Sequence, residues 1–149
     1  MSYNVIDIAH KLLCKAKAMD DGDLMSNLKL QKMLYYEQGY HLAAFSTPLF
    51  DEEVVAWMYG PVVECVYNTF RDYKRNGIEP QDKEPIKLTN DEEELFDEVF
   101  QAYADFSAYG LMRKTHEEMP WKTTEPKQII SKDKMRTFFS TLMQNGEEN

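Results

Sequence analysis

Residues 27–45 form a segment that is apolar on nearly every side of the helix it would make. Ser26 or Asn27 can cap its start, and Thr47-Pro48 ends it. A helix with apolar residues all round is buried, so the segment predicts a central helix over about 28–45. One apolar stripe comprises Leu30, Met33, Leu34, Tyr40, Ala44 and Phe45, a second comprises Leu28, Tyr35 and Leu42, and the clearly polar positions are Lys29, Gln31, Lys32 and Gln38.

Periodic apolar positions on both sides of this segment predict further helices and a mainly α fold. Thr89 and Glu92 have the spacing of a capping box, which marks the start of a later helix. We expect Gly60-Pro61 to start the third helix, because proline is tolerated at the first helical position. Residues 53–57 are β-branched and aromatic, and with 86–88 they predict a short two-stranded β element.

The size and composition of the chain fit one folded domain. With 149 residues, 43% of them hydrophobic and 13% aromatic, the chain has enough apolar material for a core despite a net charge of −9. We therefore expect a compact single-domain helical bundle over 1–149, with a frayed tail at 146–149.

The charge and the cysteines limit the classes of partner. A net charge of −9 disfavours nucleic-acid binding, which depends on clustered Lys and Arg against phosphates. The two cysteines have no CxxC spacing, so we expect no metal and no cofactor, and a reducing cytoplasm. No long apolar stretch is present, and we therefore expect no membrane association.

Templates for catalysis are mostly missing from the sequence. It contains no GxSxG elbow, phosphate-binding GxxxxGK[ST] loop, GxGxxG turn or HExxH helix. Glu37 and His41 are one helical turn apart on the central helix, where they could form an acid/base pair. The favoured interpretation is a hydrogen-bonded pair that satisfies itself in the core.

Aromatic residues next to irregular chain raise a similar choice. Trp57 and Tyr59 precede Gly60-Pro61, where bulky rings are either interface anchors or plugs in the core, and we favour plugs. His116 stands near Pro120 and Trp121, where it could bind a ligand or anchor a loop, and we favour the anchor.

Three sets of residues give the chain a family resemblance. They are Leu30, Gln31, Lys32, Met33, Leu34, Tyr35 and Tyr36, then Ala56, Trp57, Tyr59, Gly60, Pro61 and Val62, and finally Thr115, His116, Glu118, Pro120 and Trp121. In this order they resemble the motifs of the Panacea domain, the family of SocA-like antitoxins, with Met33 in place of the more usual leucine.

The resemblance implies a function that needs no catalysis. Members are cytosolic proteins of prokaryotes or phages that neutralise a cognate protein toxin, usually by direct contact. One relative works instead as an adaptor that delivers its toxin to the ClpXP protease, so an AAA+ protease is an alternative partner. The resemblance therefore predicts a non-enzymatic antitoxin, with its toxin-binding surface unknown.

A rival interpretation belongs to a different class of protein. Glu37, His41 and His116 would serve a small hydrolase or ligand-binding enzyme if their side chains met in one open cavity. If they are separated and enclosed, this interpretation loses its basis.

Overall fold

The computed structural model describes residues 2–19 and 23–148, with the backbone alone for 145–148. Residue 149 of the expected tail lies outside the described residues, and fraying at 146–149 stays a prediction. The chain is mainly helical, and its elements are α1 (Val5–Lys17), α2 (Asn27–Phe45), β1 (Val54–Trp57), β2 (Gly60–Val62), α3 (Glu64–Thr69), a 3-10 turn (Arg71–Tyr73), α4 (Asn90–Tyr103), α5 (Ala108–His116), α6 (Met119–Lys122), β3 (Ile129–Ile130) and α7 (Lys132–Glu148).

The prediction of a central helix is confirmed by α2. It packs against α1, α4, α5 and α7 and against strand β2. Tyr35 and Tyr36 have no exposed surface, although tyrosine is usually only partly buried. Neighbours on all sides explain why this one helix carries two apolar stripes, whereas a helix with a solvent face carries one.

Local signals at the helix ends also match the sequence. The Ser26 side chain caps α2 by accepting a hydrogen bond from the Lys29 backbone N–H. Thr89 and Glu92 form the expected capping box at the start of α4.

Within the ranges 2–19 and 23–148, no helix is both long enough and apolar enough to cross a membrane.

The small sheet differs from the prediction, because β1 pairs with β2 and with β3 and not with residues 86–88. Its strand order is β2-β1-β3, and both pairings are antiparallel. The expected helix start at Gly60-Pro61 is wrong, because Gly60 has a φ of 109° and pairs with Trp57 across a two-residue turn. Pro61 is accommodated because β2 is an edge strand, where a missing N–H costs no ladder bond.

The expected strand at 86–88 is also wrong, since its backbone groups bind side chains. The carbonyl of Ile86 accepts a hydrogen bond from Lys11 Nζ at 2.7 Å. The N–H of Leu88 donates to Glu93 Oε1 at 2.8 Å. These contacts fix the segment between α1 and α4 in an irregular conformation, and β3 takes the place beside β1.

Candidate functional site

Three of the polar residues on α2 are enclosed in the core. The exposed fractions of Gln31, Lys32 and Gln38 are 1%, 0% and 0%. Buried polar groups are costly unless hydrogen bonded, so their partners show what these side chains do. The signal for this was present in the sequence, as isolated polar positions on an otherwise apolar helix.

Gln31 holds the start of α3. Its Oε1 accepts the backbone N–H of Val63 at 2.9 Å, and its Nε2 donates to Asn27 Oδ1 at 2.9 Å. Asn27 in turn donates from Nδ2 to the Tyr67 carbonyl at 3.1 Å. One turn of α2 thus binds the N-cap residue and the fourth residue of the short helix α3.

The buried side chain of Lys32 binds the backbone of strand β2. Its Nζ donates to the Pro61 carbonyl at 3.1 Å, and burial lowers the pKa of the amine to about 7. Gly60 leaves the room for this contact, since a Cβ there would lie 2.6 Å from Lys32 Cε and 2.9 Å from Thr115 Oγ1. The lysine, the glycine and the threonine therefore form one closely packed unit.

Gln38 fastens the chain that leaves α2. Its Oε1 accepts the backbone N–H groups of Leu49 and Phe50, at 2.8 and 3.3 Å. Its Nε2 donates to the Phe50 carbonyl at 2.7 Å. A single buried amide thereby satisfies three backbone groups in an irregular segment.

Tyr35 and Tyr36 converge on the carboxyl group of Glu118. Both phenol groups donate to its Oε1 at 3.1 Å, and Tyr36 also lies 3.1 Å from Oε2. Burial raises the pKa of Glu118 to about 7, against the opposing effect of the two hydrogen bonds. Tyr36 also stacks on Tyr103, with ring centroids 4.0 Å apart.

The expected hydrogen bond between Glu37 and His41 is absent from the described part of the chain, where both ring nitrogens of His41 have other partners. Nδ1 lies 2.6 Å from the Thr47 carbonyl and Nε2 lies 2.6 Å from Glu92 Oε2. Burial alone would raise the pKa of Glu92, but hydrogen bonds from Tyr3, His41 and Thr89 lower it to about 2.

Glu37 keeps a carboxyl group in the core without such support. It is 2% exposed, and its Oε2 has no hydrogen-bond partner within 2–19 and 23–148. Burial raises the pKa of this carboxyl well above its ordinary value, because the core disfavours the charged form. The prediction missed Glu92 as the partner of His41 because Glu92 comes from a different helix.

The structure does not bring the three residues of the hydrolase hypothesis together. Glu37 and His41 line a small enclosed void beside Leu49 and Phe96. His116 lines a separate cavity near the β1–β2 turn. These side chains therefore do not form a common reaction centre with an acid/base pair and a second imidazole.

His116 and Trp121 pack on each other at the end of α5. Their rings stack with centroids 4.0 Å apart and an interplanar angle of 20°. The indole N–H of Trp121 donates to the Trp57 carbonyl at 2.8 Å, which ties α6 to the sheet. Thr115 and Pro120 are buried beside them, and Thr115 Oγ1 donates to the Met112 carbonyl. This geometry supports the loop-anchor interpretation of the segment.

The β1–β2 turn carries exposed apolar side chains. Met58 is 76% exposed and Tyr59 is 58% exposed, so the plug interpretation of Tyr59 is wrong. Trp57 is half-buried, with its indole N–H donating to Glu64 Oε2 at 3.0 Å and its ring against Tyr67. A two-residue turn has no interior, which explains why its tip residues face solvent.

A cavity of about 720 Å³ lies between this turn and the loop that follows α6. We call it the turn–loop cavity, and its lining includes Trp57, Met58, His116, Trp121 and residues 122–127. Sequence reasoning found its aromatic residues but missed Met58 and the loop. Neither has a periodic pattern, so only the fold reveals that they face each other.

Residues 30–122 match the family described as "Antitoxin SocA-like, Panacea domain". The chain belongs to this family. The matched range covers more than half of the chain and includes the three sets of residues that carry the resemblance. In this Panacea domain most of those residues are buried, with Lys32, Gly60 and Thr115 in one packed unit.

The chain is also similar to a curated protein. It is 43% identical over 63 residues to antitoxin SocA of Caulobacter vibrioides (strain NA1000 / CB15N). The aligned segment is 42% of this chain and 32% of SocA, so it spans about a third of that relative's length. No solved structure matches the chain.

Proposed function

We propose that this chain is a cytoplasmic antitoxin that neutralises a cognate protein toxin by direct contact and without catalysis. Membership of the SocA-like antitoxin family supports an antitoxin with a toxin partner. The proposal adds that binding alone blocks the toxin.

The observation that carries the proposal is that buried polar residues of the family motifs support a turn whose apolar side chains are exposed. Gln31 and Lys32 are enclosed and hydrogen bonded to the protein's own backbone, where they support β2 and the start of α3. Met58 and Tyr59 project instead from a short turn on that supported framework. Exposed apolar residues on a rigid base are typical of a surface that binds another protein.

The test is co-expression with a candidate toxin, namely the product of an adjacent gene whose expression alone stops growth. Direct neutralisation predicts that growth recovers, that the two proteins co-purify as a stable complex, and that the amount of toxin in the cell stays the same. Recovery of growth without a complex contradicts the proposal, as does a failure of both.

The same experiment separates direct contact from delivery to a protease. If the chain acted as an adaptor, the toxin would decay faster only when both this protein and an AAA+ protease were present. Direct neutralisation predicts equal rescue in cells with and without that protease. A rescue that disappears with the protease would favour the adaptor.

A further inference from the structure

We propose that the turn–loop cavity receives a large apolar side chain of the toxin, with a neighbouring carboxylate of the toxin against Lys122 and Lys127. This inference rests on the proposed function, because it names the surface through which the antitoxin would bind. It also gives the chemistry of the toxin segment, namely an aromatic or large aliphatic residue close to an aspartate or glutamate.

The walls of the cavity suit an apolar side chain. Trp57 and Trp121 supply aromatic surface, Met58 lies at the exposed turn, and Ala56 and Pro126 add further apolar lining. The volume of about 720 Å³ is within the range of pockets that bind compact ligands and side-chain clusters. Tryptophan-lined pockets of this kind are frequent sites of binding energy at protein interfaces.

Hydrogen bonds join the segments that line the cavity. Lys127 N–H donates to the Ala56 carbonyl at 2.6 Å, and Ala56 N–H donates to the Gln128 carbonyl at 2.9 Å. The indole N–H of Trp121 donates to the Trp57 carbonyl at 2.8 Å. Because the loop is already ordered against β1, little conformational entropy is lost when a partner binds.

The charge at the cavity differs from that of the whole chain. The protein has a net charge of −9, but two lysines and one glutamate line this cavity. Lys122 and Lys127 are exposed, and within the described ranges their ammonium groups have neither an ion pair nor a hydrogen bond. Two unpaired cations beside an apolar cavity are complementary to a carboxylate next to an apolar side chain.

Met58 provides a sharp test because it lines the cavity yet is 76% exposed. Met58→Asp places a carboxylate where the proposal needs an apolar contact, without emptying the core. We expect it to weaken toxin binding about 30-fold or more, as for a residue at the centre of an interface. Tyr109→Asp is the matched control, since Tyr109 is 60% exposed and is not part of the lining.

Lys122→Glu tests the charge independently of the apolar contact. We expect it to weaken binding roughly tenfold, with a slower association rate at low salt. Lys87→Glu is its control, because Lys87 is also exposed and is not part of the lining. A lysine in place of the toxin's matching acidic residue should restore binding to Lys122→Glu and to no other variant.

A photo-reactive phenylalanine at position 58 identifies the occupant directly. Crosslinking to the purified toxin, followed by mass spectrometry of the joined peptides, should recover one toxin segment with an apolar residue and an acidic neighbour. The same label at position 109 should not recover that segment. Labelling of unrelated segments from position 58 overturns the proposal.

The outcomes separate this inference from the proposed function. If the wild-type protein binds and neutralises the toxin while Met58→Asp and Lys122→Glu do so equally well, the surface is wrong and the function stands. If the wild-type protein forms no complex, both fail. Melting temperatures equal to that of the wild-type protein make a loss of binding attributable to the surface.

Discussion

The side chain of Lys32 lies directly against the backbone of Gly60. A Cβ on that glycine would be 2.6 Å from Lys32 Cε, closer than atoms in van der Waals contact allow, and Gly60 also has a φ of 109°. Thr115 Oγ1 would lie 2.9 Å from the same Cβ. Lys32, Gly60 and Thr115, which are far apart in the sequence, therefore meet here. Glycine is required at this position for both space and backbone conformation.

Gly60→Ala should therefore destabilise the fold by about 2–4 kcal/mol, from the steric overlap and the unfavourable φ together. Urea unfolding followed by circular dichroism measures the change. Gly110→Ala is the control, since Gly110 lies in α5 and the nearest atom to its Cβ would be Ser107 Oγ at 3.2 Å. Alanine favours helix, so this change should stay within about 1 kcal/mol of the wild-type protein. Equal effects at the two positions would contradict the packing argument.

Gln38→Leu should cost about 3 kcal/mol of stability, because it removes a partner from three backbone groups of Leu49 and Phe50 while keeping an apolar side chain in place. Gln101→Leu, at an exposed position of α4, controls for the loss of an amide and should change stability by less than about 0.5 kcal/mol. Hydrogen exchange adds a local readout. The Leu49 and Phe50 amides should exchange faster in Gln38→Leu, and unchanged exchange would show that Gln38 does not fasten them.

The sequence was sufficient for features that are set within one helix. The burial of α2 followed from apolar residues on all its sides. The sequence indicated Ser26 or Asn27 as the cap of α2 and Thr89 as the cap of α4, and in the structure Ser26 and Thr89 reach backbone groups three residues away. These signals are local, so they do not depend on the contacts that the rest of the chain makes.

The features that the sequence did not reveal depend on partners far along the chain. His41 binds Glu92, 51 residues away, whereas the i,i+4 rule offered only Glu37. Tyr36 binds Glu118, 82 residues away. The β2 strand was mistaken for a helix start because Pro61 suits both positions, and only the positive φ of Gly60 decides between them.

Glu118→Gln should stabilise the protein in a pH-dependent way. Burial raises the folded-state pKa of Glu118 from 4.5 to about 7, so between these values the unfolded chain loses a proton that the folded one keeps. The wild-type protein therefore loses stability, by about 3 kcal/mol at most, as the pH rises through this window. Glutamine keeps an oxygen that accepts from Tyr35 and Tyr36 without this penalty.

The measurement is the difference in unfolding free energy between Glu118→Gln and the wild-type protein at pH 5 and at pH 8. The advantage of the variant should be greater at pH 8. Glu117→Gln, at the exposed neighbouring position, should show no such change. The same difference at both pH values would mean that Glu118 titrates as an ordinary glutamate.

Glu37→Met should also stabilise the protein, by about 1–2 kcal/mol at pH 8, because it replaces a poorly supported buried carboxyl group with an apolar side chain of similar length. The pKa of Glu37 is raised well above 4.5 by burial, so the wild-type fold becomes less stable as the pH rises above that value and the gain should increase. Glu94→Met on the exposed face of α4 is the control and should change stability by less than about 0.5 kcal/mol. If Glu37 and His41 supported each other as first expected, Glu37→Met would instead destabilise the fold. The contacts of His41 with Thr47 and Glu92 predict that His41→Ala is the damaging change.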